Sequence, residues 1–212
     1  MKRSMGMGEI RIQGAGFTLI ELMVTTAIFL ILTTTVILNY PRFNSNISVG
    51  KVAREMALTI REAQAFGLAV REFESVSPSA FGVFFHKDNT QEMIMFVDKD
   101  EDGKYRQALG CSDDPDAECI EKFILKGNVS IVDICVNSTG LDGDERCIGD
   151  GTDYVDIIFE RANPDSKIDR NNEKTFDNAT ANVIIQSNNY ADQDKSIRVW
   201  ITGQISVEDV QN

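Results

Sequence analysis

From Phe17 to Tyr40 the chain reads FTLIELMVTTAIFLILTTTVILNY, 24 positions with one charge, Glu21, and neither glycine nor proline. A helix lying on a soluble core shows one apolar stripe, whereas this segment is apolar or threonine all round. At about 1.5 Å per helical residue it reaches about 36 Å, more than the ~30 Å hydrocarbon core of a bilayer. The pattern therefore predicts a transmembrane helix over 17–40. Pro41 follows, and because its ring clashes with helical backbone four residues earlier, a kink or stop is expected there. Beyond it, Val49, Val52, Met56, Ile60, Ala63, Gly67 and Val70 recur at intervals of three or four, while Arg54, Glu55, Arg61, Glu62 and Arg71 fall on other faces. This spacing predicts an amphipathic helical stalk within 41–75.

After Pro78 the period changes. Short β-rich runs alternate with polar turns at Phe81 to His86, Glu92 to Val97, Cys119 to Leu125, Val129 to Val136, Tyr154 to Glu160, Val183 to Gln186, Ile197 to Ile201 and Gln204 to Val207. Val155, Ile157 and Phe159 set against Asp156 and Glu160 show the two-residue alternation of a strand. Thr202-Gly203 has the glycine of a tight hairpin. A long helix followed by a run of strands predicts an α+β fold, with an antiparallel β-sheet domain over 76–212. No internal repeat is visible, and the longest loop is expected over Arg161 to Thr180.

A length of 212 residues suits one domain plus an attachment segment, and 42% hydrophobic with 25% charged residues suits a real core. Residues 1–16, MKRSMGMGEIRIQGAG, carry Lys2, Arg3 and Arg11 against Glu9, which places this end in the cytoplasm and the remainder outside. Beyond the leader stand 18 basic and 32 acidic side chains, a formal charge of −14. That balance counts against nucleic acid as a partner. The single histidine, His86, leaves no second imidazole for a histidine-rich metal site and reads as an ordinary strand residue. No G-x-S-x-G elbow, phosphate loop, H-E-x-x-H or dinucleotide fingerprint occurs, so a non-enzymatic role is expected.

The leader differs from a secretory signal peptide because the small residues Gly14, Ala15 and Gly16 precede the apolar run rather than follow it. Cleavage there would leave the hydrophobic helix on the mature protein. Gly16-Phe17-Thr18-Leu19-Ile20-Glu21 resembles the processing motif of type IV prepilins and type II secretion pseudopilins. The resemblance implies cutting between Gly16 and Phe17 by a membrane prepilin peptidase, N-methylation of Phe17, and assembly with other pilin subunits at an inner-membrane platform. It also implies that the second part of the helix packs on the globular domain. The piece REAQAFGLAV is similar to the corresponding segment of the GspH/FimT group of minor pseudopilins. Other readings left open are a minor pilin that binds DNA during uptake and a membrane-anchored extracellular binding module.

The chemistry of the motif can also be argued directly. Glycine before the scissile bond lets a protease approach the backbone closely. A carboxylate within an apolar helix costs about 2.5–3.5 kcal/mol on insertion scales, so Glu21 calls for a function. Cleavage before Phe17 creates an α-amine with a reference pKa of about 7.7–8. In helices staggered along an axis, that amine on one subunit can neutralise Glu21 on its neighbour, turning an insertion cost into a rule of packing order. A carboxylate favoured near a helix start by the macrodipole is the alternative.

Cys111, Cys119, Cys135 and Cys147 all lie in the exported part, and an even count there suggests two disulfides. Seven and eleven intervening residues favour pairing in sequence order, although three connectivities are possible. Asp98-Lys99-Asp100-Glu101-Asp102-Gly103 matches the start of a calcium loop, with Asp98, Asp100 and Asp102 as candidate Ca2+ ligands. It departs from that pattern at the twelfth position, Leu109, where a glutamate is required, so further ligands must come from elsewhere. A solvated acidic turn is the alternative, and it is the better reading for Asp142, Asp144 and Asp150.

Overall fold

Antiparallel pairing organises nearly all of the chain after its helix. The computed structural model describes residues 16–69, 78–137, 145–147, 152–171, 173–174 and 179–210. The chain divides into two compact units, Met1–Pro41 and Arg42–Asn212. One helix, α1 (Leu19–Leu68), contributes to both, and one long apolar N-terminal helix followed by antiparallel sheets is the α+β arrangement expected. Pro41 lies inside α1 rather than at its end. A proline removes only its own N–H bond, and the turns on either side keep theirs, so helical backbone continues through it.

In the first unit, every side chain of α1 apart from Thr33 is exposed. Its threonines are satisfied locally: Thr33 Oγ1 donates to Phe29 O at 2.7 Å, Thr34 Oγ1 to Leu30 O at 2.8 Å, and Thr25 Oγ1 to Leu22 O at 3.0 Å. Hydroxyls that bond back to the preceding turn need nothing from solvent, so the surface they leave is effectively apolar.

In the second unit, two sheets form. The six-stranded sheet runs β3 (Cys119–Ile124), β2 (Glu92–Asp98), β1 (Ala80–His86), β6 (Tyr154–Glu160), β7 (Ser166–Arg170), β8 (Glu173–Lys174) in spatial order. The five-stranded sheet runs β11 (Ile205–Asp209), β10 (Asp194–Trp200), β9 (Thr180–Ser187), β4 (Val129–Asn137), β5 (Glu145–Cys147). Every expected run falls on one of these strands, and the hairpin at Thr202-Gly203 joins β10 to β11 with Gly203 N donating to Trp200 O at 2.8 Å. Gly203 sits at φ +75°, where a Cβ would also lie 2.0 Å from Pro164 O.

The stretch expected as the longest loop instead contains β7 and β8. The polar sequence of β7, SKIDR, hides the strand because Ile168 is its one large apolar residue, and the pairing is made by backbone, Ile157 opposite Ile168. Val49, Val52, Ala53, Met56, Ala57, Ile60 and Ala63 of α1 join Val83, Phe85, Met93, Met95, Ile157 and Phe159 of one sheet and Ile134, Val183, Ile185, Ile197 and Val199 of the other in one core. β9 alternates buried and half-buried residues, as a sheet with one covered face does. β1 and β2 are buried almost end to end. Their second face is covered too, by a smaller cluster of Ala80, Phe84, Ile94, Phe96 and Ile158 beneath Tyr105 of the β2–β3 connection.

Candidate functional site

Two regions carry the residues singled out by sequence. In the first, Gly16 and Phe17 precede α1 and are exposed. Thr18 begins the helix: its hydroxyl oxygen accepts from Glu21 N at 3.3 Å and its carbonyl from Leu22 N at 3.2 Å. That is the N-cap bond of a T-x-x-E capping arrangement, a local role for Thr18 that the same six-residue motif could have revealed. Glu21 lies in the first turn with its side chain exposed, and among the described residues no hydrogen bond or ion pair engages its carboxylate. Its neighbours Leu19, Ile20, Leu22, Met23 and Val24 are exposed hydrophobics, so the carboxylate stands in an apolar surface. The basic leader residues Lys2, Arg3 and Arg11, with Glu9, lie outside the described residues, as do Asp142, Asp144 and Asp150.

The second region is the β2–β3 connection, residues 99–118. Cys111 is bonded to Cys119 and Cys135 to Cys147, so one disulfide closes this connection at its end and the other ties β4 to β5. The acidic run opens the connection. Asp98, 1% exposed, ends β2, and its Oδ2 accepts from Ser79 Oγ at 3.0 Å and Gly103 N at 3.1 Å. Glu101 and Gly103 sit at φ 63° and 75°, which turns the run back on itself.

Asp98 and Asp100 meet Glu118, with one oxygen from each within 4.8 Å of the others. Asp102 is not in that group; its Oδ1 accepts from Lys104 N at 2.9 Å and its residue lines a neighbouring cavity of about 510 Å³ with Asp98, Glu101, Glu160, Lys167 and Asp169. Glu118 was invisible to motif reasoning because it lies 20 positions from Asp98 and belongs to no recognisable spacing; only the fold of the connection brings it back. Its position beside a cysteine that closes the loop was the one available hint.

Glu118 is fully buried, accepting from Lys99 N at 3.3 Å and Arg106 N at 2.7 Å. Burial pushes its carboxyl up to about 7, while burial also raises Asp98. Asp100 lies below its ordinary range: its partial burial raises it, but hydrogen bonding and attraction from Arg106 outweigh that. Two ionised carboxylates 4.8 Å apart repel by about 3.5 kcal/mol at an effective dielectric near 20, so three together need either protons or more positive charge than one guanidinium. Under the same connection Asp156, 1% exposed, accepts from Tyr105 N at 3.3 Å and stands directly opposite Asp169 on β7. Burial and then Asp169 raise Asp156 well above the usual carboxylate range. His86 ends β1, where its Nδ1 accepts from Asp88 N at 3.1 Å.

Residues 13–37 match the family described as the Prokaryotic N-terminal methylation motif. No curated protein and no solved structure matches the chain. The motif supports a type IV pilin-like protein, and it implies processing by a prepilin peptidase and assembly with other pilin subunits. With a helix long and apolar enough to cross a membrane near the N-terminus, it points to membrane anchoring.

Proposed function

We propose that the protein is a minor pilin or pseudopilin, a structural subunit of a type II secretion pseudopilus or a type IV pilus of the GspH/FimT kind. Residues 1–16 are the leader removed by the peptidase, Phe17 is the methylated new terminus, 17–40 hold the subunit in the cytoplasmic membrane until an inner-membrane platform extracts it, and 76–212 stay outside. The observation that carries this reading is the pairing of a methylation motif over 13–37 with an apolar helical surface bearing one carboxylate, Glu21, that has no partner among the described residues. An apolar helix surface with no core of its own is stable in lipid or against other such helices, and Glu21 fixes which register between helices is acceptable. The acidic balance of the chain favours a protein assembly over a nucleic acid as its destination.

The test is mass spectrometry of the N-terminal peptide from cells that carry a prepilin peptidase. A terminus at N-methylated Phe17 is expected; an intact leader, or a cut after Tyr40, overturns the reading. In the same cells Glu21→Ala is expected to leave processing intact and to reduce recovery of the subunit in sheared filaments about tenfold, the equivalent of about 1.4 kcal/mol of lost contact. Normal recovery would remove Glu21 from assembly.

A further inference from the structure

We propose that the cavity between β1, β2, β6 and β7 takes a lysine side chain of a partner protein, its ammonium on the carboxylates of the wall and its stem on the apolar floor. The cavity measures about 510 Å³ and lies on the second face of the six-stranded sheet, where Ala80 and Ile158 of the smaller cluster sit. Its floor follows from the strand register. Ala80 stands opposite both Asp98 of β2 and Glu160 of β6, and Ile158 stands opposite Lys167 of β7. Directly opposed residues of antiparallel strands point to one face, so the small Ala80 leaves a hollow between two acids, with Ile158 beside it.

The wall carries more negative charge than its own base answers. Asp98, Glu101, Asp102, Glu160 and Asp169 line the cavity with a single base, Lys167. Lys167 is engaged at the rim, where its Nζ pairs with Glu160 and its side chain is 62% exposed. Among the described residues, no ion pair engages Asp98, Glu101 or Asp102. Asp98 separates this wall from a solvated acidic turn. It is 1% exposed, its Oδ2 accepts from Ser79 Oγ and Gly103 N of the same lining, and its Oδ1 has no hydrogen-bond partner. A buried carboxylate oxygen left so is costly until a donor or a positive charge meets it.

The lining also discriminates among cations. An ammonium offers three donors to acceptors spread around it, whereas a guanidinium presents a planar fork suited to one carboxylate. Here the carboxylates come from the end of β2, the connection, β6 and β7, not from one plane. Ala80, Ile158 and Ile201 give an aliphatic stem a surface to cover. Lys167 is the chain's own instance of this chemistry, since it starts opposite Ile158 and ends on Glu160. The volume falls within the roughly 300–1,000 Å³ of ligand sites and exceeds one stem, so it admits the backbone that carries the lysine, which favours a protein over a free amine. The formal charge of −14 beyond the leader draws basic partners toward it.

The experiment titrates three probes into the full-length protein in detergent, with EDTA and at low salt, read by calorimetry: a capped Gly-Lys-Gly peptide, the same peptide with arginine, and n-pentylamine. The lysine peptide is expected to bind with a dissociation constant of about 1 mM or tighter, at least about threefold tighter than either other probe. Its affinity is expected to fall severalfold between about 20 and about 200 mM NaCl. Asp98→Asn and Asp102→Asn are each expected to weaken it at least about fivefold, while Asp113→Asn, which removes the same charge from the connection outside the lining, stays within about twofold. Asp102 is exposed, so its variant tests the cavity even if the buried substitution at Asp98 impairs folding. No binding at several millimolar lysine peptide, or equal losses in Asp102→Asn and Asp113→Asn, overturns the site. Pentylamine that binds as tightly as the lysine peptide overturns the protein partner in favour of a free amine, and an equal arginine peptide overturns the choice of lysine.

Discussion

The two parts of α1 have the same backbone and opposite fates. Between Leu19 and Pro41 nearly every side chain is exposed, including Phe29 at 68% and Leu38 at 74%. Between Arg42 and Leu68, Val49, Val52, Ala53, Met56, Ala57, Ile60, Ala63 and Gly67 are buried, most other positions are polar, and Phe43, Ile47, Leu58 and Leu68 are exposed. Helical propensity does not separate the two, but the placement of apolar positions does. A stripe of limited width can be buried by one sheet system in the same chain, whereas an apolar surface on all sides needs lipid or many neighbours. The second part therefore serves the fold of its own unit, and the first is written for surroundings outside the chain.

Core and exposed substitutions separate these roles most strongly. Phe159→Ala empties a fully buried site and is expected to cost about 3–5 kcal/mol in denaturant unfolding of the globular unit. Phe29→Ala, with no core to lose, is expected to change that unfolding by less than about 0.5 kcal/mol. A comparable loss in both would break the comparison, because it would mean that the first part is already covered within the monomer.

The second difference lies inside the globular unit, between what packing holds and what covalent bonds hold. β5 has only three residues and joins the five-stranded sheet at its edge, where Cys135 stands opposite Cys147 in the register. A bond that closes so short a segment stabilises mainly by restricting the unfolded chain. Replacing both cysteines by alanine is expected to cost about 2–3 kcal/mol, again by denaturant unfolding. An unchanged midpoint under reducing conditions would show that the edge is held by packing alone.

How much was readable beforehand follows the same division. The apolar run, the amphipathic stripe and the strands with bulky alternating residues were visible because each carries a period. β7 and β8 were not, since SKIDR and Glu173-Lys174 reach the sheet through backbone bonds that composition does not report. Of the kink or stop expected at Pro41, the stop does not occur, because the turns around the proline keep their own bonds and α1 runs on to Leu68. At the acidic connection, Asp98 and Asp100 were readable from their spacing, whereas Glu118 joins them only through the chain's return at β3, a long-range fact without a local signature. Thr18 carries a local signature, the T-x-x-E spacing to Glu21 of a helix cap.

A smaller effect tests how closely the second part of α1 is fitted. At Gly67 a Cβ would lie 2.8 Å from Phe159 O and 3.3 Å from Phe159 Cβ, and a strand carbonyl cannot swing aside as a side chain can. Alanine gains about 1 kcal/mol of helix propensity over glycine, while overpacking a fitted contact costs about 1–3 kcal/mol. Gly67→Ala is therefore expected to lose about 1–2 kcal/mol. Gly50→Ala, where a Cβ meets nothing within 4 Å, is expected to gain slightly. Equal effects at the two sites would mean that the helix can move away from β6.

The gentlest test concerns the buried carboxylates of the second unit. Asp156 is raised by burial first, then by Asp169 opposite and by Asp102, against lowering by Tyr105 N–H and Lys104. The folded state thus keeps this proton to higher pH than the unfolded chain. Its contribution to stability is complete below the ordinary value of 3.8 and is lost as pH rises through the folded value. Glu118, raised to about 7, and Asp98 act in the same direction, and Asp100 acts in the opposite one. In buffer with a chelator, the unfolding temperature is expected to fall between about pH 5 and neutrality. Asp156→Asn retains an acceptor for Tyr105 N and is expected to make that fall shallower. A slope unchanged by Asp156→Asn would show that its proton is held equally in both states, and that the buried carboxylates do not set the pH response of the globular unit.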